Sequence, residues 1–264
     1  MNQKPASVIR FATVLACAAA QVGVAYAANA DVQCSASSGV AVPVVVELYT
    51  SEGCNSCPPA DRWLSQAVAR AGKVRDASAM FIPLAFHVDY WDYIGWKDAF
   101  AQPAFAQRQG ALARAGGASG VYTPQVFVNG RDDRNWTRDA VALAGAGGAA
   151  TKATVKFNVS SAWRDDAVTI NGKLAEPSAS VRLRYAVTEN GLVTAVKAGE
   201  NKGETLRHDA VVRAHGAVAT DASGAFALSV RLPRETRRSA SQLHVIAEDA
   251  RGVPLAAATI SCAG

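Results

Sequence analysis

The sequence lacks a second long apolar segment, a run of like charges and a short-period repeat. Beyond residue 27 no stretch approaches the roughly 20 apolar residues that span a membrane, which predicts a soluble protein without a stable membrane span. The formal net charge of +5 falls to +3 without Lys4 and Arg10. Because this charge is mild and evenly spread, we expect no nucleic-acid partner. Half of the 264 residues are hydrophobic, so a substantial core can form.

Residues 1–27 have the features of an export signal. Positive charge at Lys4 and Arg10 precedes the apolar sequence FATVLACAAAQVGVAYA, which ends in a small-x-small pattern. We expect cleavage after Ala27 and an exported, periplasmic or secreted product. A lipoprotein with Cys17 as the lipidated residue is the alternative.

Cysteine is scarce, and four cysteines remain once the signal is removed: Cys34, Cys54, Cys57 and Cys262. An even number in an oxidising compartment favours disulfides, and four cysteines allow three pairings. The short spacing of Cys54 and Cys57 favours a bond between them. This leaves Cys34 to pair with Cys262 as a structural disulfide.

The pattern after the signal predicts two domains of different fold class. Residues 28–40 are small and polar and predict a flexible lead-in, while residues 41–148 alternate buried strands with amphipathic helices, which predicts an α/β domain. The sequence TRDAVALAGA predicts its last helix, and GAGGAA marks the boundary. Residues 149–264 contain seven short alternating strands, which predict an all-β, sandwich-like domain. No cysteine pair lies within that domain, so an antibody-type domain is not implied.

The sequence GCNSCPPAD places Cys54 and Cys57 between a predicted strand and a predicted helix. Two cysteines at this spacing can form a disulfide, and the positive end of the helix dipole stabilises a thiolate there. We therefore predict that Cys54 and Cys57 are catalytic. Cys54, on the more exposed side, would attack and Cys57 would resolve the mixed disulfide. A zinc site would need two further ligands, and no metal site is predicted.

Thr123 and Pro124 begin the sequence TPQVFVNG, where a residue-proline pair directly precedes a predicted strand. Such a pair is a candidate cis peptide. With the CxxC motif, this sequence resembles the thioredoxin-like superfamily over residues 41–145. The whole chain resembles a family of secreted proteins of unknown function that carry a thioredoxin-like domain followed by a β-rich domain. The resemblance implies that Cys54 and Cys57 are a redox pair and that Thr123 and Pro124 bind substrate.

Two positions depart from the thioredoxin pattern. Gly53 stands where thioredoxins have tryptophan, and Leu48 stands where they have a buried acid. Glu47 is adjacent to Leu48, but strand alternation directs it to the opposite face. The proton acceptor for Cys57 is therefore not assigned by the sequence.

The sequence FHVDYWDYIGW follows a predicted strand whose carboxyl end would lie beside the CxxC motif. Trp91 is therefore a candidate substrate-binding residue. His87 lies within the apolar strand, so a core position is favoured over a role as copper ligand. In the second domain, the polar sequence KAGENKGETLRHD predicts a solvated connection, with contact to the first domain or to a partner as the alternative.

These observations predict an exported thiol-disulfide oxidoreductase that exchanges disulfides with protein thiols or with a redox partner protein. It would need no organic cofactor. The alternative is a non-catalytic periplasmic copper-handling or protein-interaction module, in which the CxxC motif is a ligand pair or a structural clip.

Overall fold

The computed structural model of the protein describes residues 32–71, 80–138 and 151–262, together with Met1. The predicted signal at residues 2–27, most of the predicted helix in TRDAVALAGA and the predicted boundary at residue 148 lie outside these ranges. In the part of the chain that is described, no helix is long and apolar enough to cross a membrane.

The described ranges form two α-helices and fourteen strands. The helices are α1 (Pro58–Ala71) and α2 (Pro103–Gly116). The strands are β1 (Val32–Ser37), β2 (Val44–Thr50), β3 (Phe81–His87), β4 (Gln125–Val128), β5 (Arg131–Asp132), β6 (Phe157–Arg164), β7 (Ala167–Leu174), β8 (Arg182–Glu189), β9 (Leu192–Ala195), β10 (Thr205–His208), β11 (Val211–Val218), β12 (Ala225–Arg231), β13 (Ser241–Glu248) and β14 (Pro254–Ile260).

Eight strands form one mixed sheet, in the order β14-β13-β8-β11-β3-β2-β4-β5. Four of them come from the first half of the chain, residues 32–138, and four from the second half, residues 151–262. Strands β2 and β3 are parallel over their whole length, and β4 runs antiparallel to β2. The two halves meet where β11 pairs in parallel with β3, with Val211 opposite Ala85. The amide of Ala85 also donates to the carbonyl of Ala210 at 2.8 Å.

The predicted fold class, a thioredoxin-like α/β domain followed by an all-β sandwich-like domain, is therefore wrong. The protein is mostly β, and the described residues from 32 to 262 belong to one compact unit. A separate first domain would have left the edge of β3 unpaired, and an exposed edge can pair with other chains. Strand β11 covers this edge, which periodicity along the chain does not reveal.

A second, four-stranded sheet has the order β1-β6-β7-β12. Strand β1 lies within residues 28–40, which the sequence predicted to be a flexible lead-in, and it pairs antiparallel with β6 over six residues. Cys34 in β1 forms a disulfide with Cys262, with a Cα–Cα distance of 6.0 Å. The disulfide joins this strand to the end of β14. The small polar residues of β1 therefore form a strand because β6 and the disulfide hold them in place.

Alternation along β2 separates two apolar layers around the first half of the sheet. Val46 and Leu48 pack with Leu64 of α1 on one face. Tyr49 packs with Phe105 of α2 on the other face, in a cluster that also contains buried residues from the second half of the chain. The core thus crosses from one half to the other on the α2 side.

Glu47 lies on the α2 face and anchors a buried ionic group that we call the arginine–glutamate network: Glu47, Arg108, Arg184 and Glu248. The carboxylate of Glu47 accepts hydrogen bonds from Arg108 at 2.7 and 2.8 Å and from Arg184 at 2.9 Å. Both arginines also contact Glu248. Burial by itself raises the pKa of Glu47, but Arg108 and Arg184 outweigh it and lower this pKa to about 2. The network joins β2, α2, β8 and β13, and thus both halves of the chain.

Candidate functional site

The CxxC motif lies at the carboxyl end of β2 and leads directly into α1. Cys54 and Cys57 form a disulfide, with a Cα–Cα distance of 5.4 Å. The carbonyl of Cys57 accepts the first helical hydrogen bonds, from Ala60 at 2.9 Å and Asp61 at 3.1 Å. Pro58 suits the first helical position because its missing amide proton would have no helical partner there. The disulfide therefore lies at the positive end of the α1 dipole.

Both cysteines of the CxxC motif are fully buried, with Cys54 and Cys57 each 0% exposed. The sequence predicted that Cys54 would be the more exposed of the two, and this is wrong. Asn55 and Ser56, between the cysteines, are exposed. The Oγ of Ser56 lies 3.3 Å from the Sγ of Cys54, so this hydroxyl can donate to a thiolate there.

The structure brings Thr123, Pro124 and Trp91 to the same end of the sheet as the CxxC motif. The peptide bond between Thr123 and Pro124 is cis, and the next residue, Gln125, pairs with Tyr49 of β2. The indole of Trp91 donates to the hydroxyl of Thr123 at 2.7 Å. All three residues are partly exposed.

Gly53 is placed where a side chain would be tightly packed. A Cβ at this position would lie 3.2 Å from Trp91 and 3.2 Å from Ile94. Trp91 therefore packs against the residue before Cys54 and also bonds Thr123. The aromatic segment is the contact between the CxxC turn and the Thr123-Pro124 turn. Tyr93 stacks on Trp91 and is 81% exposed, so an aromatic surface continues outward from this contact.

Beneath the disulfide lies a buried group that we call the histidine–carboxylate cluster: Glu52, Asp61, His87, Asp98 and His208. His87 at the end of β3 bonds Asp98 at 2.7 Å, and the same carboxylate oxygen accepts the amide of Glu52 at 2.9 Å. His208 at the end of β10 lies 3.4 Å from the carboxylate of Glu52 and 4.0 Å from that of Asp61. The two imidazole rings are 4.9 Å apart.

The electrostatics of this cluster differ between its members. Burial lowers the pKa of His87, but Asp98 outweighs it and raises that pKa. Burial raises the pKa of Asp98, but His87 outweighs it and lowers that pKa, so these two form an ion pair. Burial raises the pKa of Asp61, and the neighbouring histidines only partly oppose this shift. Asp61 is therefore protonated more easily than an ordinary aspartate.

Several polar atoms of the cluster have no hydrogen-bond partner among the described residues. They are Oε1 of Glu52, Nε2 of His87 and both ring nitrogens of His208. Buried polar atoms are usually satisfied, and exceptions often mark sites with a catalytic or ligand-related role. Across the described ranges, no group of three or more His, Cys, Asp or Glu side chains is arranged to hold a metal ion.

The segment between β9 and β10, residues 196–204, covers the CxxC turn, and we call it the cap loop. The side-chain amide of Asn201 donates to the carbonyls of Glu52 and Cys54, at 2.8 and 3.0 Å. The carboxylate of Glu200 accepts the amide of Asn55 at 3.1 Å. The polar sequence was predicted to be a solvated connection, with contact to the first domain or to a partner as the alternative. The structure shows contact with the first half of the chain.

The sequence analysis did not identify the residues that surround the disulfide. Asp61 could have been suspected because it follows Cys57 by four residues on the same helix face. His208 and Asn201 gave no such signal, since they are about 150 residues away along the chain and reach the site through the β3–β11 pairing. Alternation and spacing describe local structure, whereas these contacts are tertiary.

The fold and the site together define a β-rich protein with a buried CxxC disulfide at a helix N-terminus. The chain belongs to the family described as "Protein of unknown function (DUF1223)", whose model matches residues 45–248. The match includes the CxxC motif, every member of the histidine–carboxylate cluster and the cap loop. No curated protein matches the chain significantly.

Two solved structures are similar to this one. An X-ray crystal structure of a protein from Agrobacterium tumefaciens is 29% identical, with a TM-score of 0.52, and the match covers 82% of this chain and 91% of that one. HBP35 of Porphyromonas gingivalis is 16% identical, with a TM-score of 0.55, over 84% of this chain and 76% of that one. At that identity, the second likeness shows the fold alone.

Proposed function

We propose that the protein is an exported thiol-disulfide oxidoreductase that exchanges the Cys54–Cys57 disulfide with protein thiols. The observation that carries this proposal is the position of the disulfide, at the N-terminus of α1 and above a buried cluster of ionisable groups. A helix N-terminus favours a thiolate, and a nearby acid can exchange protons with it. The other disulfide, Cys34–Cys262, has neither feature. Its neighbours are Ser161, 3.7 Å from the Cys262 sulfur, and apolar core residues.

Export is part of the same proposal. The two disulfides are compatible with an oxidising compartment. The signal-like composition of residues 1–27 supports export through the pattern of charge and small residues already described.

The reaction would proceed by two exchanges. A thiolate of the partner attacks the sulfur of Cys54, the Cys54–Cys57 bond breaks, and Cys57 leaves as a thiolate. A second partner thiolate then attacks the partner sulfur of the mixed disulfide, so that the partner is oxidised and Cys54 is released. The protein gains two electrons and two protons, which the two partner thiols lose. The reverse sequence of steps reduces a partner disulfide.

Asp61 is the group that we assign to proton exchange with Cys57. Its side chain points toward the N-terminus of α1, since side chains four residues apart share a helix face and tilt in that direction. Because its pKa is raised, a protonated Asp61 can give its proton to the leaving thiolate. His208 lies beside the Asp61 carboxyl and can return the proton. We assign partner binding to Thr123, Pro124 and Trp91, because Trp91 packs against Gly53, next to Cys54, and donates to Thr123.

Equilibration in glutathione buffers of graded ratio tests this function. After quenching by alkylation, peptide mass mapping should show Cys54–Cys57 interconverting between disulfide and dithiol, while Cys34–Cys262 stays oxidised. The protein should also speed disulfide exchange in a reduced, unfolded test protein, with a variant carrying both Cys54→Ala and Cys57→Ala as control. Equal rates for wild type and this control would overturn the proposal.

A further inference from the structure

The cap loop packs on the CxxC turn through Asn201 and Glu200. Cys54 and Cys57 are both 0% exposed, so neither sulfur is open to a thiolate in this arrangement. Exchange requires the attacking sulfur to reach near-contact distance, in line with the bond that breaks. Some part of the covering structure must therefore move before the proposed reaction can occur.

Val196, at the start of the cap loop, is buried at 3% exposed. Three hydrogen bonds join the rest of the loop to the CxxC turn. They are the two hydrogen bonds from Asn201 to backbone carbonyls and the hydrogen bond from the Asn55 amide to Glu200. Beside them, Gly199 packs closely on Trp96 and Ile94. Polar contacts of this kind each contribute little net stability, because water can replace them.

The cap loop is also built to move as a unit. Within it, the amide of Glu204 donates to the carbonyl of Asn201 at 3.0 Å. The amide of Gly203 donates to the carbonyl of Val196 at 2.9 Å. Gly199 and Gly203 have φ values of +74° and +93°, which favour glycine and turn the chain on both sides of Asn201. The internal bonds can therefore persist while the contacts to the CxxC turn break.

We propose that the cap loop is a gate that selects protein thiols over small thiols, an inference that rests on the proposed function. When Asn201 withdraws, the carbonyl of Glu52 loses the Asn201 donor, and the carbonyl of Cys54 keeps only the amide of Cys57, at 3.2 Å. An extended polypeptide can supply backbone N–H groups to these carbonyls, as strands do to a sheet edge, whereas a small thiol cannot. The substrate class is thus a cysteine within a flexible, extended segment of a protein.

The variant Asn201→Ala tests the gate. It should raise the rate at which dithiothreitol reduces Cys54–Cys57 at least tenfold, because the loop opens more often. Glu200→Ala, which changes an exposed side chain, should raise this rate a few-fold. The control is Asn158→Ala, since the Asn158 side chain also bonds the backbone, by accepting the amide of Lys173, but lies in the other sheet. It should leave the rate unchanged.

A second measurement compares substrates. An unstructured peptide with one cysteine should attack the wild-type disulfide faster than dithiothreitol at equal thiolate concentration, and Asn201→Ala should remove most of this preference. Hydrogen exchange should show the Asn55 amide protected in wild type and unprotected in Glu200→Ala. Dithiothreitol rates within twofold of wild type in both cap-loop variants would overturn the gate.

The outcomes separate the gate from the function. Dithiothreitol acts on the protein's own disulfide, so this rate depends on access and not on any physiological partner. Faster reduction of Asn201→Ala together with no exchange on test proteins would keep the gate and overturn the oxidoreductase proposal. Exchange on test proteins with unchanged dithiothreitol rates would keep the oxidoreductase proposal and overturn the gate.

Discussion

The arginine–glutamate network and the histidine–carboxylate cluster are both buried, and both join the two halves of the chain, but they differ in how well they are satisfied. In the network only one buried side-chain atom, Nη1 of Arg184, has no hydrogen-bond partner within the described part of the chain. In the cluster four atoms from Glu52, His87 and His208 have none. The charges of the network are thus paired with one another, while the cluster contains buried polar atoms without hydrogen-bond partners.

This difference indicates that the network contributes to stability and the cluster to thiol reactivity. Removing one partner from a buried, paired set leaves an uncompensated charge, and this strongly destabilises a protein. Replacing a buried acid whose pKa is raised by a neutral amide costs less, because burial already disfavours the charged form of that acid. The network should therefore respond to mutation through stability, and the cluster through thiol chemistry.

The largest expected effect is that of Glu47→Gln. It leaves Arg108 and Arg184 with only the carboxylate of Glu248 between them, so we expect a loss of about 3 kcal/mol in the free energy of unfolding, the low end for a broken buried pair. Urea denaturation at neutral pH measures this loss. Glu176→Gln, at an exposed position, is the control and should change stability by less than about 0.5 kcal/mol. A loss below about 1 kcal/mol at Glu47 would show that the network is not what stabilises this interface.

The second effect is acid sensitivity. The pKa of Glu47 is about 2 in the folded protein and near 4.3 when unfolded. Because the folded pKa is the lower one, the stabilisation is present above pH 4.3 and is lost as the pH falls toward 2. It amounts to about 3 kcal/mol. Urea midpoints from pH 6 to pH 2 should fall more steeply for wild type than for Glu47→Gln, and parallel curves would contradict this assignment.

The third effect reverses the comparison. Asp61→Asn should change the free energy of unfolding by less than about 1 kcal/mol, because Asn carries no charge for burial to penalise. It should nevertheless slow exchange through Cys57 by about 100-fold at neutral pH, the lower end of the range for loss of a general acid or base. Stopped-flow reaction of the mixed disulfide measures this rate. His244→Gln is the control, since His244 is also buried but bonds Thr188 and Thr259.

The smallest effect is that of Ser56→Ala. Loss of a hydroxyl 3.3 Å from the Cys54 sulfur removes one hydrogen bond to the thiolate, which corresponds to about 1 kcal/mol. The pKa of Cys54 in the reduced protein should rise by less than about one unit. Alkylation rate against pH gives this pKa. A larger rise would assign to Ser56 the stabilisation that we attribute to the helix terminus.

The sequence predicted those parts of the structure that depend on nearby residues. Both helices, strands β2 to β4 and the position of the CxxC motif follow from apolar spacing and from turn residues. The pairing of Cys34 with Cys262 follows from counting. The eight-stranded sheet could not be predicted, because it depends on the pairing of β11 with the edge of β3. The periodicity of a strand does not show which strand it pairs with.

The site was predicted in outline for the same reason. Trp91, Thr123 and Pro124 were expected near the cysteines from strand ends and motif position. The exposure of Cys54 was predicted wrongly. Glu200 and Asn201, which bond the backbone of the CxxC turn, belong to the second half of the chain. A polar loop has the same composition whether it is solvated or packed on a neighbour.

The central claim is that Cys54 and Cys57 form an exchanging pair in which Cys54 bonds the partner. The most direct measurement is trapping of mixed disulfides, with Cys57→Ala and Cys54→Ala variants exposed to reduced and oxidised unfolded test proteins and analysed by non-reducing electrophoresis and mass mapping. We expect Cys57→Ala to retain partners covalently on Cys54, since the resolving thiol is missing. Cys54→Ala should retain few or none. Trapping through Cys57, or no trapping by either variant while the fold is intact, would contradict this account.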